Sequence, residues 1–400
     1  MTNREEQVNK VLDRGIIKQI LPTRDEFAKA LLGDKKLRFY IGADPTSSAL
    51  HLSHAKNYML LEEFRQLGHE VIVLIGDFTA RIGDPTEKSS ARKQLSREDV
   101  LENVKNWTEQ IKPLMDFDTN ENPARILYNN DWLAPLTMED VVNLASNVTV
   151  QQLLERDMFQ KRLKEDKPIY LHEFMYPLMQ GYDSVAMDVD VELCGTDQIF
   201  NALMGRTLLK KFKNKDKFVV AVNLMENPKT GELMSKSRGT GIFLNFSAED
   251  MFGGIMAQPD EMIRVFLINN TRISLEEIET IIAENNPKDA KIRAAYEVTK
   301  IFHGEEKAVA AQEVFAKKFQ KRETPDEMEN IKVEVSELTL LDILKKCLPA
   351  MSNSEIQRLI IQGGVKVNTE TKNQFKELIV IPDDGLVVKA GKKDWFKIIK

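Results

Sequence analysis

Residues 38–55 constrain the fold of this chain more than any other stretch. They read Arg-Phe-Tyr-Ile-Gly-Ala-Asp-Pro-Thr-Ser-Ser-Ala-Leu-His-Leu-Ser-His-Ala. Phe39, Tyr40 and Ile41 favour a strand that stops at Gly42. Asp44, Pro45, Thr46, Ser47 and Ser48 carry the chemistry of a turn and a helix cap. From about Ala49 the pattern predicts a helix to Leu67, closed by Gly68. The stretch is thus strand, loop, helix, with His51 and His54 on one helix face. A His-x-x-His pair by itself suits two surface histidines or a metal site. Its place beyond the carboxyl end of a strand favours a ligand, because open α/β sheets bind ligands there. The helix N-terminus adds free N–H groups and a positive dipole end, which suit a phosphate.

A chain of 400 residues is too long for one ordinary core, so two or three domains are expected. A composition of 42% hydrophobic and 30% charged residues is that of a soluble globular protein. No apolar run reaches membrane length and no secretory signal is evident. Cys194 and Cys347 stand apart, which excludes a disulfide framework and a cysteine zinc site and points to the cytoplasm. The net charge of −6 argues against a nucleic-acid binder, but it is unevenly spread. From Glu337 onward 11 Lys and Arg face 8 Asp and Glu, a basic tail that can hold an RNA contact on an acidic body.

Residues 1–36 read as helical, interrupted at Asp13, Arg14 and Gly15. Residues 70–75 form a short apolar run suited to a buried parallel strand. The loop after it, residues 76–86, carries Asp77 and Asp84. Lys88, Arg92 and Lys93 follow among small residues, as a solvated basic loop or a mobile clamp for phosphates. Residues 99–115 read as an amphipathic helix and 125–129 as a strand. Residues 131–182 read as a helical insertion, with 138–159 apolar at helical spacing, suited to a core or to a dimer surface. A helix is expected over 171–182, followed by Asp183. Tyr176, Gln180 and Asp183 then share one face, as a pocket wall or as surface hydrogen bonding. Residues 185–193 alternate as a strand does and end in Cys194, Gly195, Thr196, Asp197 and Gln198. After a further buried strand at 218–224, residues 231–241 place Lys, Ser and Arg between glycines, suited to a loop that closes over an anion.

The expected class is α/β. A Rossmann-like parallel-sheet catalytic domain spans 1–246 and contains the insertion at about 131–182. An α-helical domain follows at 247–321, a charged linker with Pro325 at 322–336, and a small α+β domain at 337–400.

His51-Leu52-Ser53-His54 matches the first signature of the class I aminoacyl-tRNA synthetases, and Leu233-Met234-Ser235-Lys236-Ser237 the second. Together with Tyr40-x-Gly42-x-Asp44-Pro45-Thr46, Ile82-Gly83-Asp84-Pro85 and Gly195-Thr196-Asp197-Gln198, they make nearly the whole chain resemble the bacterial tyrosyl enzymes of that family. The resemblance implies that Tyr40 and Asp183 hydrogen-bond a phenol. It implies Asp84, Tyr176 and Gln180 as binders of the α-ammonium and Gln198 as a group near the carboxylate. Asp197 and Gly195 fall at ribose contacts, Asn57 on the ATP side, and Gly42 and Asp44 in the loop facing the α-phosphate. Thr46, His51 and His54 match phosphate contacts, and Lys88, Arg92 and Lys236 match mobile cations that meet the departing pyrophosphate. ATP with Mg²⁺, L-tyrosine and tRNA(Tyr) are the implied substrates, without a resident metal or prosthetic group. The helical domain is implied on the anticodon side, the last domain as an αL-type RNA-binding module, and the assembly as a cytoplasmic homodimer away from membranes.

The implied chemistry needs no general base, because the attacking carboxylate is ionised at pH 7. Positioning and charge stabilisation carry the reaction. Ser53, Leu233 and Cys194 depart from the usual pattern, where Gly, Lys and Gly are common. The alternative reading is a catalytically weak relative that keeps the fold and binds RNA.

Overall fold

The computed structural model describes residues 2–86, 95–234, 241–284, 286–323 and 328–400, the last range without 369, 384, 392 and 393. The chain divides into two compact units, residues 1–312 and 313–400.

The first unit opens with α1 (Asn3–Asp13), β1 (Ile17–Leu21) and α2 (Arg24–Leu32). It continues through β2 (Arg38–Ala43), α3 (Leu52–Gln66), β3 (Glu70–Ile75), α4 (Arg97–Val104), α5 (Trp107–Ile111) and β4 (Arg125–Tyr128). Strands β5 (Val191–Gly195) and β6 (Phe218–Val222) complete a sheet of order β1-β6-β5-β2-β3-β4. All neighbours run parallel except β1, which is antiparallel to β6. The chain leaves β2 outward to β3 and β4, then returns to β5 on the other side. The crevice between the ends of β2 and β5 is therefore the place where such a sheet binds ligands.

Strand alternation sorts the residues of β2. Phe39 turns to the layer of α2 and α3, stacking on Phe64 at 4.5 Å and meeting Phe27 at 6.1 Å. Tyr40 turns to the other face, among Ile72, Leu74, Met187 and Val189.

Several elements differ from the sequence expectation. Residues 17–21 form β1 instead of helix: they gain a hydrogen-bonded partner in the open edge of β6, which no local pattern reveals. The helix expected from Ala49 starts at Leu52, because the preceding loop is held from outside. Asn103 Nδ2 donates to the Pro45 carbonyl at 2.9 Å, Trp107 Nε1 to that of Ser47 at 3.0 Å, and Gln110 Nε2 to that of Ser48 at 2.9 Å. The helix expected over 99–115 is accordingly two, α4 and α5, with α5 turned so that Trp107 and Gln110 reach this loop.

The insertion comprises α6 (Asn130–Leu133), α7 (Met138–Ala145), α8 (Val150–Leu154) and α9 (Asp157–Lys164). Thr137 and Thr149 cap α7 and α8 through their side-chain oxygens, which divides the one apolar run into separate helices. Met138, Val142 and Val150 are exposed. The helix expected over 171–182 is a short 3-10 turn followed by α10 (Tyr176–Met187), which thus contains Asp183. The alternating run at 185–193 is not one strand. Val185 and Met187 end α10, Asp188 closes it in a left-handed conformation at φ 50°, and only Val191–Gly195 pairs as β5. Val185 packs against Leu208 and Met187 against Tyr40, so a helix end buried on two sides imitates strand alternation.

After α11 (Ile199–Lys213) come α12 (Ala248–Met256), α13 (Ile263–Asn270), α14 (Leu275–Ala283), α15 (Pro287–His303) and α16 (Glu305–Glu323). Helices α12 to α15 lie in the same compact unit as the sheet. The buried Arg14 guanidinium donates to the carbonyls of Ile268 at 3.1 Å and Ile273 at 2.7 Å, one in the last turn of α13 and one in the segment after it. Asn270 Nδ2 donates to the Leu52 carbonyl at 2.8 Å.

The second unit contains β7 (Glu329–Lys332), β8 (Glu337–Thr339), α17 (Leu340–Cys347), α18 (Asn353–Ile361), β9 (Val365–Val367), β10 (Glu370–Lys372), β11 (Leu378–Val380), β12 (Leu386–Ala390) and β13 (Asp394–Ile399). Five strands order as β10-β9-β12-β13-β7, while β11 pairs with β8. Leu340, Ile343, Leu344, Ile356 and Ile360 form its core with Val365, Val388 and Ile398. Residues 329–332 are not linker: they form β7, parallel to β13. Its composition is polar because it is an edge strand with little burial. Among the described residues no helix is long and apolar enough to cross a membrane.

Candidate active site

Loops leaving β2, β3 and β5 meet the polar face of α10 at the sheet's switch point. Asp44, just past β2, accepts from Thr79 Oγ1 at 2.6 Å and from the Tyr176 hydroxyl at 2.9 Å. Gly76 makes this packing possible: a Cβ there would lie 2.0 Å from Asp44 Oδ1 and 2.4 Å from Thr79 Oγ1. Gly42 lies one residue before the end of β2, and Thr46 is exposed with its N–H donating to the Asp44 carbonyl at 2.8 Å.

Asp183 lies two helix turns beyond Tyr176 on α10, 2% exposed. Its carboxylate accepts from Trp132 Nε1 at 2.7 Å and, on the other oxygen, from Asn129 Nδ2 at 3.4 Å. Burial raises its pKa well above the usual carboxylate range, and the Trp132 and Asn129 bonds oppose this. Tyr40 is fully buried, and its hydroxyl pairs with Ser184 Oγ at 3.0 Å. Its pKa is pushed up by burial first, then by Glu192 and Asp183. Tyr40 and Asp183 thus share one buried wall, each held by its own partners. Tyr176 is likewise raised by burial and then by Asp44, Asp84 and Asp183.

A chain of amides crosses the crevice. Gln198 Nε2 donates to Asp84 Oδ2 at 2.6 Å and to Thr86 Oγ1 at 2.9 Å. Asn201 Nδ2 donates to the side-chain oxygens of Gln198 at 2.8 Å and Gln180 at 3.0 Å. Gln180 Nε2 donates onward to Glu192 Oε1 at 3.0 Å. Asp84, Gln180 and Gln198, far apart in sequence, are thereby joined.

His51 precedes the first turn of α3 and His54 lies in it, their rings 4.0 Å apart. The His51 N–H donates to His54 Nδ1 at 3.2 Å, so the neutral His54 ring carries its proton on Nε2. Burial lowers the His51 pKa to about 4, with Lys56 adding to the effect. Burial, His51 and Lys56 put His54 well below the ordinary value. Both rings are therefore neutral donors at pH 7. Lys56 is buried, donates to Asn57 Oδ1 at 2.7 Å, and has its pKa lowered by burial to about 7, against the pull of Asp197. Asp197 follows Gly195 in the turn after β5, its pKa raised by burial. Lys88, Arg92 and Lys236 lie outside the described residues. Both flanks of the second signature are anchored: Leu233 bridges Glu226, while Leu52 N–H donates to the Ile242 carbonyl at 3.0 Å and Leu244 N–H to that of Leu50 at 2.8 Å.

Residues 33–320 match the family model of the class I tRNA synthetases for tryptophan and tyrosine. The chain belongs to that family. The synthetase is 42% identical over 399 residues to a tyrosine–tRNA ligase of Thermotoga maritima, which covers 98% of this chain and 97% of the relative. It is 42% identical over 405 residues to one of Carboxydothermus hydrogenoformans, at 98% and 97% coverage. Its fold is similar to a truncated mitochondrial tyrosyl-tRNA synthetase of Aspergillus nidulans, with a TM-score of 0.66 and 22% identity over 78% of this chain and 94% of that one.

The synthetase's site contains groups that sequence reading missed: Thr79, Asn129, Trp132, Ser184, Glu192, Asn201 and Lys217. Glu192 and Ser184 had a signal, since both lie within segments that end at the site. Asn129 and Trp132 had none, because nothing local says that the end of β4 and the start of α6 reach α10.

Proposed function

We propose that this chain is a tyrosine–tRNA ligase that joins L-tyrosine to tRNA(Tyr) in two steps at the switch point. The observation that carries the reading is the juxtaposition of the buried Tyr40–Asp183 wall with the neutral histidine pair. The full-length likeness to tyrosine ligases supports it. Tyr40 and Asp183 receive the phenol. Asp84, Tyr176 and Gln180 receive the α-ammonium, and Gln198 lies beside the carboxylate. ATP, accompanied by Mg²⁺, lies over Gly42, Asp44, Asn57, Gly195 and Asp197, with Thr46, His51 and His54 on its phosphates.

The tyrosine carboxylate attacks the α-phosphorus. A new P–O bond forms, the bond to the β-phosphate oxygen breaks, and pyrophosphate leaves. Neutral Nε2–H donors stabilise the charge spreading over the leaving phosphates at little desolvation cost, and Lys88, Arg92 and Lys236 supply the cations. A ribose hydroxyl of the terminal adenosine then attacks the acyl carbon and AMP departs. The exposed apolar face of the insertion supports a homodimer, and the isolated cysteines a cytoplasmic setting.

ATP–pyrophosphate exchange with tyrosine, phenylalanine and tryptophan in parallel tests the reading. Exchange with tyrosine alone is expected. None with any of the three, from folded protein, would leave the RNA-binding relative as the better reading.

The histidines give a second expected outcome. Neither ring titrates as pH falls from about 7.5 to 6, so Lys56, with its pKa of about 7, is the group beside the rings that changes charge in that window; a loss of exchange with midpoint near 6.5 that persists in Lys56→Met would show a ring that ionises as an exposed histidine does. Linkage has the matching sign. The stability due to neutral His51 is complete above its ordinary pKa of 6.5 and is lost as pH falls toward about 4.

A further inference from the structure

Behind the Tyr40–Asp183 wall lies an ion pair with no part in the chemistry above. The side chains of Lys217 and Glu192 are 0% and 2% exposed and in direct contact. Lys217, the residue before β6, also donates to Ser184 Oγ at 2.8 Å, and Ser184 Oγ is the partner of the Tyr40 hydroxyl at 3.0 Å. Its ammonium lies 5.8 Å from the centre of the Tyr40 ring. Glu192, on β5, turns its other oxygen to Gln180 Nε2 at 3.0 Å. The pair therefore touches, through one residue each, the group at the phenol end of the pocket and a group at the ammonium end. Space is made for it: a Cβ on Gly205 of α11 would stand 2.6 Å from Lys217 Nζ and 2.7 Å from Ser184 Oγ.

Burying two charges side by side is costly, and a hydrophobic pair of similar volume is often no less stable. A role other than stability is therefore worth seeking. Lysine has donors only, so its bond to Ser184 Oγ occupies an acceptor site there and fixes how that hydroxyl meets Tyr40. Lys217 also offsets the Glu192 charge, which would otherwise lie unbalanced beside Asp183 and Tyr40.

We propose that Lys217 and Glu192 are a positioning pair that fixes the Tyr40 hydroxyl through Ser184 and thereby sets the preference for a phenolic over a phenyl side chain. This rests on the pocket reading given under Proposed function.

The test is pyrophosphate exchange on the full chain with tyrosine and with phenylalanine. The variants are the neutral double substitution Glu192→Gln with Lys217→Met, and Ser184→Ala alone, each checked for folding by its thermal melt. The double variant is expected to raise KM for tyrosine about 10-fold, to leave KM for ATP unchanged, and to lower the tyrosine-to-phenylalanine ratio of kcat/KM by about 10-fold, the loss of one well-placed hydrogen bond. Ser184→Ala moves the same two quantities in the same direction, and combining all three substitutions adds little, because the pair acts through that hydroxyl. A folded double variant with unchanged ratio and tyrosine KM overturns the proposal. Should the double variant fail to fold, Ser184→Ala decides alone, since it removes only a hydroxyl. Wild-type protein that shows no tyrosine-dependent exchange defeats the pocket reading, a result distinct from either.

Discussion

Asp183→Asn raises KM for tyrosine about 10- to 100-fold in pyrophosphate exchange, the equivalent of about 1.4–2.8 kcal/mol, and leaves KM for ATP unchanged. The carboxylate accepts on both oxygens, from Trp132 at 2.7 Å and Asn129 at 3.4 Å. A carboxamide of the same shape accepts on one side and donates on the other. Whichever way it turns, an N–H meets a donor, and Trp132, Asn129 or the substrate phenol loses its acceptor. Binding weakens and the preference for tyrosine over phenylalanine narrows, because phenylalanine never used that acceptor. An unchanged tyrosine KM would mean that the phenol does not reach Asp183.

Removing residues 324–400 is expected to spare tyrosine-dependent pyrophosphate exchange and to cut kcat/KM for tRNA charging by on the order of 100-fold, the worth of two or three lost polar contacts. The cut falls ahead of β7, which pairs with β13. The second unit has a core of its own, and the α10 pocket is built from residues of the first. Residues 337–400 within it carry 11 Lys and Arg against 8 Asp and Glu, a balance suited to a phosphate backbone, so charging by the full chain should weaken as salt rises while exchange does not. Charging left intact by the truncation would remove the second unit from tRNA recognition.

Much of this site was legible because it sits at strand ends. The run from Tyr40 to His54 carries strand, turn and cap signals in order, and its fold follows them except that the helix begins later, at Leu52. The stripe of Tyr176, Gln180 and Asp183 was readable from helical spacing and does share a face of α10. What failed needed partners from elsewhere. β1 exists because β6 offers an open edge. The α10 end misled because burial on two sides replaces a 3.6-residue period with apparent alternation. The expected helical domain at 247–321 has links to the rest of the first unit that no pattern showed. Arg14 and Asn270 tie it to the first residues and to α3, and single polar side chains leave no trace in periodicity. Lys217 has no sequence signal of any kind: a lysine just before a strand normally reads as solvent-facing.

β1 also bears on how this chain can be handled. Ile17–Leu21 covers the outer edge of β6, with register Ile20 to Val220 and Leu21 to Val219. A chain started after Pro22 would present β6 as a bare row of N–H and C=O groups flanked by buried valines, a template for another molecule's strand. Loss of so short a leader would be seen first as concentration-dependent aggregation, before any fault in the chemistry at the opposite end of the strands.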